Sequence, residues 1–159
     1  MPIQPDPHEP SSVSATVTRT FDAPRELVWS AWTQPDLFAE WFCTPPFKTP
    51  VSSVAMDVRP GGAWKATQVS EADGVELPFV GLYLEVVEPE RLVLTFTNPE
   101  DPGDPNIEVA TVTFTDLDGG TEMTLRQEGH MPAEQYPLLE EGYSRFFDQL
   151  AALLVRLRD

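Results

Sequence analysis

The sequence predicts an α+β domain in which one antiparallel sheet is closed by a long carboxy-terminal helix. Three observations carry this reading. Strand-like segments between residues 51 and 128 are separated by turn chemistries at nearly regular intervals. None of these strands is followed by a crossover helix, which excludes a parallel sheet. After Gly129 the apolar period changes from about 2 residues to about 3.6. A chain of 159 residues, 41% of them hydrophobic, suits one such domain and is long enough to bury about 70% of its unfolded surface.

Residues 1–12 hold four prolines and almost nothing to bury, so they are expected to be a loose tail ahead of a single domain over 13–159. Val13, Ala15 and Val17 alternate with Ser14, Thr16 and Thr18, the pattern of a half-buried strand ending near Phe21. Asp22 is then expected to cap a short helix over 24–32, with Pro24 in its first turn and Leu27, Val28 and Ala31 at helical spacing. Pro35 interrupts it, and Asp36, Leu37, Phe38, Trp41 and Phe42 read as a second short helix. Thr44 to Pro50 holds three prolines and is expected to be loop.

Six strands should follow, over roughly 51–58, 62–69, 78–88, 91–98, 107–116 and 121–128. Pro60-Gly61-Gly62, Ala72-Asp73-Gly74, Glu88-Pro89-Glu90, Asp101-Pro102-Gly103 and Asp118-Gly119-Gly120 supply the turns between them. In the last element Tyr143, Phe146, Phe147, Leu150, Leu153, Leu154 and Leu157 form one stripe. From Tyr143 to Leu157 that helix is about 21 Å long, enough to cross a sheet.

The surface charge narrows the function. Ten Lys and Arg against 26 Asp and Glu give a formal charge of −16, whose field repels phosphate backbones and anionic headgroups. No nucleic-acid partner is expected. The lone Cys43 has no partner for an internal disulfide, and the start of the chain lacks a basic and then apolar leader, so a cytoplasmic protein without membrane insertion is expected.

Few residues suggest chemistry. His130 is the one histidine inside the domain, yet no second histidine or cysteine accompanies it as a relay, and a solvated loop residue is the simpler reading. Cys43 carries no nucleophile signature and reads as an inert thiol. His8, Cys43 and His130 lack ligand spacing, and Asp101 and Asp104 lack a calcium-loop pattern, so neither metal nor cofactor is expected. Asp57 and Arg59 point to one side of a strand and read as an ion pair. Gly61-Gly62 lacks dinucleotide spacing and reads as a hairpin turn.

Several stretches, in order, resemble the START-like (SRPBCC) superfamily, and within it the group similar to the carboxy-terminal domain of the heat-shock-protein ATPase activator. They are FDAPRELVWSAWTQPDLFAEWF after the first strand, MDVRPGGAW from Met56, GLYLEVVEPERLVLTF from Gly81, GGTEMTLRQEG from Gly119, and EEGYSRFFDQL near the start of the last helix. The resemblance covers about Val13 to Leu157. It implies a helix-grip fold, in which a strongly curved antiparallel sheet wraps around the last helix and leaves a cavity between them. Members of the superfamily bind lipids, sterols or polyketides, and a few are cyclases or hydrolases.

A curved sheet and one helix about 10 Å across rarely fill the enclosed space with side chains alone, which supports a cavity on separate grounds. Strand parity places Val80, Leu82, Leu84 and Val86 on one face, with Tyr83 and Glu85 on the other. It also aligns Leu92, Leu94 and Phe96, and Met123 with Leu125. The expected cavity residues are Trp41, Trp64, Leu82, Leu84, Phe96, Met123, Phe146, Phe147 and Leu150. A binding module for a small hydrophobic molecule, non-catalytic or weakly catalytic, is the leading expectation. The alternatives are a cyclase- or hydrolase-type enzyme using His130 and Glu128 at the cavity mouth, and an interaction module whose acidic exterior docks a basic partner. An exposed sheet edge leaves room for a homodimer.

Overall fold

A computed structural model describes residues 14–101 and 103–158. The expected tail, Val13 and Pro102 lie outside the described residues. In chain order the elements are β1 (Ala15–Phe21), α1 (Arg25–Thr33), α2 (Pro35–Trp41), β2 (Phe47–Lys48), β3 (Ala55–Met56), β4 (Ala63–Ser70), β5 (Glu76–Val87), β6 (Arg91–Phe96), β7 (Glu108–Leu117), β8 (Gly120–Glu128) and α3 (Tyr136–Arg158). All strand pairs are antiparallel, in the order β1-β8-β7-β6-β5-β4-β2, with β3 also on β4. The sheet curls around α3 as a half-barrel, with the two short helices packed beside it. This is the α+β helix-grip architecture that the motifs implied.

Three details depart from the sequence reading. The segment over 51–58 is no continuous strand: Val51–Ser53 forms a 3-10 turn, and two residues, Ala55 and Met56, pair with β4. Ser53 explains the break, because its hydroxyl donates to the Pro50 carbonyl at 2.7 Å and so satisfies a turn in place of a ladder. The loop over 44–50 contains a two-residue strand, β2, against Val69 and Ser70. At α1, Pro24 occupies the cap position without a side-chain cap, while Asp22 instead meets Arg158 of α3 at 2.7 Å.

The core fills the concave side. From the helices come Val28, Trp29, Trp32, Phe38, Trp41, Phe147, Leu150, Leu153 and Leu154; from the strands come Leu92, Leu94, Val112, Phe114, Met123 and Leu125. Its aromatic centre is tightly packed, with Trp32 and Trp41 edge-on at 4.7 Å between ring centres and Tyr143 stacked on Phe147 at 5.7 Å. The buried indole N–H groups of Trp41 and Trp64 donate to the carbonyls of Ala31 (2.9 Å) and Thr95 (3.0 Å). Each ring therefore buries its apolar area without stranding a donor. α3 starts seven residues before Tyr143, and its last stripe residue, Leu157, is exposed.

Parity in β5 needs a correction. The register shifts between Tyr83 and Glu85, so one residue is extra at that point. Up to the bulge Gly81 and Tyr83 face the core, and Leu82 before it and Leu84 at it stand exposed at 45% and 49%. After it, Val86 packs against the core. Leu82 and Leu84 therefore do not line the space beneath the sheet. The bulge returned Val86 alone of that apolar row to the concave face.

Candidate functional site

The inward rows of three strands end in a polar residue at the same end of the sheet. On β4, Trp64 and Ala66 lead to Gln68; on β7, Ala110 is preceded by Glu108; on β8, Met123 and Leu125 lead to Gln127. The ladder aligns two of them, since Gln127 lies opposite Ala110, next but one to Glu108, and Phe96 lies opposite Glu108. The first turns of α3 cross this end of the sheet.

Between the sheet and α3 lies a cavity of about 360 Å³. Phe42, Phe79, Phe96, Met131, Leu138, Leu139, Gly142 and Phe146 form most of its wall, and Gln68, Glu108, Gln127 and Tyr143 form a polar arc. Tyr143 Oη donates to Gln127 Oε1 at 2.5 Å, and Gln127 Nε2 donates to Glu108 Oε1 at 3.2 Å. Tyr136 Oη also donates to Glu108 Oε1, at 3.0 Å, and the His130 backbone N–H donates to Oε2 at 2.5 Å. Glu108 thus ties β7 to β8, to the loop after it and to the first turn of α3. A side chain at Gly129 would collide with this carboxylate and stand 2.6 Å from the Ile107 carbonyl oxygen, so the tie requires glycine there.

Burial and the Glu108 charge push the Tyr143 phenol well above its ordinary range. Burial, the hydrogen bond to Glu108 and the Glu108 charge push Tyr136 the same way. Both hydroxyls are donors at neutral pH. Gln68 differs from its neighbours: it is 4% exposed, and its Nε2 has no hydrogen-bond partner among the described residues. A buried N–H left without an acceptor costs about 1–3 kcal/mol.

Of the residues expected at the cavity, Phe96 and Phe146 line it. Trp41, Met123, Phe147 and Leu150 are closed into the core instead, because the aromatic cluster between α1, α2 and α3 fills that end of the grip. Trp64 is 2% exposed, packs edge-on to the lining residue Phe96 without itself lining the cavity, and with Leu82 lines a separate groove of about 550 Å³. Leu82 and Leu84 stand on the convex side, for the reason given by the bulge. Gln68, Glu108, Gln127 and Tyr143 were missed. The legible signal was a polar residue continuing an apolar inward row, repeated on three strands.

The other candidates fall elsewhere. His130 is exposed and engages Glu108 through its backbone alone. Glu128 meets Arg126 at 3.4 Å. Cys43 is buried, and that burial pushes its thiol up, away from nucleophile chemistry. Asp57 and Arg59 form an exposed ion pair at 2.9 Å. Among the described residues no helix is long and apolar enough to cross a membrane, and no three metal-ligating side chains converge.

Comparison with known proteins matches this geometry. No curated protein matches the chain. Among solved structures, protein CV1439 from Chromobacterium violaceum is 32% identical, with a TM-score of 0.76 over 89% of this chain and 96% of that one. Protein NE0264 from Nitrosomonas europaea is 27% identical, with a TM-score of 0.78 over 93% and 97%. Protein Ms6760 from Mycobacterium smegmatis is 25% identical, with a TM-score of 0.75 over 96% and 97%. Residues 22–155, from the end of β1 to the last turns of α3, match the family described as Activator of Hsp90 ATPase homolog 1-like protein, and the chain belongs to that family.

Proposed function

We propose that the protein binds a small, largely apolar molecule in the cavity between the sheet and α3. One observation carries the reading: about 360 Å³ of space is walled mainly by Phe42, Phe79, Phe96, Leu139 and Phe146, within the volume range of small-molecule pockets. Apolar side chains do not hold such a space open to bind water. The core beside it is closely packed, so the cavity is a local feature and not a general looseness.

Thermal unfolding with a panel of fatty acids, sterols and flat aromatic compounds tests this. At 100 times the dissociation constant a ligand stabilises the native state by about 2.7 kcal/mol, an easily measured rise in Tm. At least one neutral compound should produce it, and Gly142→Leu, which projects a side chain into the cavity, should abolish it. Absence of any rise across the panel overturns the proposal.

A second reading has its own observation. Leu82, Leu84 and Val87 are exposed on one strand of the convex face, and the family is named for activation of the Hsp90 ATPase. An interaction module would use that face. ATPase assays with Hsp90 should then show stimulation that Leu82→Ser with Leu84→Ser removes, and no stimulation by the native chain dismisses it.

A further inference from the structure

We infer that the cavity's preferred occupant is an uncharged apolar molecule bearing a carbonyl oxygen, which accepts a hydrogen bond from the carboxamide of Gln68. The inference rests on the reading that the cavity binds a small apolar molecule, and it specifies what that molecule must carry. Of the two amides at the cavity, Gln127 is occupied at both ends, by Tyr143 and by Glu108. Gln68 is buried as deeply, at 4% exposure each, lines the same space, and keeps an amide nitrogen with no partner among the described residues. Native proteins satisfy nearly all such groups, so an unsatisfied one on a residue lining a cavity marks where a ligand atom belongs, met when the carboxamide turns its closed-off nitrogen toward the space.

The rest of the arc decides the charge of that ligand. No Lys, Arg or His lines the cavity, and the one ionisable acid there, Glu108, would repel an anionic headgroup across a low-dielectric space. Glu108 already accepts from Gln127, Tyr136 and His130, and the free group at Gln68 is a donor, which has nothing to offer an ammonium. A neutral acceptor is what remains. Sites that hydrogen-bond a ligand group discriminate strongly against analogues lacking it, because the protein's own polar group is then stranded.

Displacement of the neutral dye N-phenylnaphthylamine from the full chain tests this, with four competitors of matched length: methyl nonyl ketone, undecane, undecanoate and undecylamine. The ketone should bind about tenfold or more tightly than undecane, the worth of one well-made hydrogen bond. Gln68→Met, each competitor read relative to that variant's own dye affinity, should bring ketone and alkane within about threefold of each other. Equal binding of ketone and alkane, preference for the acid or the amine, or a ketone preference that survives in Gln68→Met each overturns the inference while leaving the apolar cavity reading intact. No dye binding and no competitor-induced rise in Tm overturns both. Should Gln68→Met fail to fold, the side-chain amide resonances of Gln68 in the native protein decide. They should shift with the ketone and stay unmoved with undecane, and no difference between the two overturns the inference.

Discussion

Tyr143 of α3 and Gln127 of β8 meet at 2.5 Å, phenol to amide oxygen, in a hydrogen bond that joins the last helix to the last strand through buried side chains. The contact sits at the boundary between the closed core and the cavity. Tyr143→Phe keeps the ring stacked on Phe147 and strands Gln127 Oε1. It should therefore cost about 1–3 kcal/mol in urea denaturation, with the native fold retained by circular dichroism. A change under about 0.5 kcal/mol would show that the amide finds another donor.

The pH response should be alkaline. Tyr83, Tyr136 and Tyr143 are the chain's three tyrosines, and burial raises all three phenols, helped by Asp57 at Tyr83 and by Glu108 at the other two. Raised native values mean that the unfolded chain releases these protons first, at about pH 10, so their contribution is complete below that pH and is lost as pH rises above it. Phenolate absorbance of the native protein should stay low past pH ~10 and appear with unfolding, whereas in denaturant it should titrate near 10. A native tyrosine titrating at its ordinary value contradicts the placement.

Phe147 and Leu84 are both large and apolar, yet they should respond oppositely. Phe147 is fully buried beneath Trp32 and Trp41, and its truncation to Ala should cost about 3–5 kcal/mol. Leu84 is 49% exposed at the β5 bulge, and Leu84→Ser should stay within about 0.5 kcal/mol. Chemical denaturation of the two variants measures the difference directly.

Two glycines make a similar pair. A side chain at Gly81 would collide with the Thr95 carbonyl and stand 2.6 Å from Trp64 Nε1, which hydrogen-bonds that same carbonyl. Gly81→Ala should lower Tm sharply, by the equivalent of about 3 kcal/mol or more. Gly142 lies within α3 and meets open space, so Gly142→Ala should raise stability by up to about 1 kcal/mol through helix propensity. Thermal melts of both check it.

Much of the architecture is a local property of the chain, and that is why it was legible. Turn chemistry at Asp118-Gly119 and Pro60-Gly61 sets the hairpins, and the spacing of Tyr143, Phe147, Leu150 and Leu154 sets the buried stripe of α3, so element order and fold class followed from short stretches. Apolar identity in β5 did not say which face was inner, because a single extra residue at Tyr83–Glu85 reverses parity and costs little in local energy. Nor did it separate Trp41, which is core, from Phe146, which lines the cavity, since both are large aromatics and only the crossing of α3 over the sheet distributes the space between them. The polar arc is the sharpest case: Gln68, Glu108, Gln127 and Tyr143 are spread over 76 positions of sequence, and nothing local links them. Antiparallel register and the start of α3 bring them to one end of the sheet, satisfy Gln127 and Glu108, and leave the amide nitrogen of Gln68 without a partner. Hydrogen-bond satisfaction depends on three-dimensional neighbours, so that distinction was decided by the tertiary structure alone.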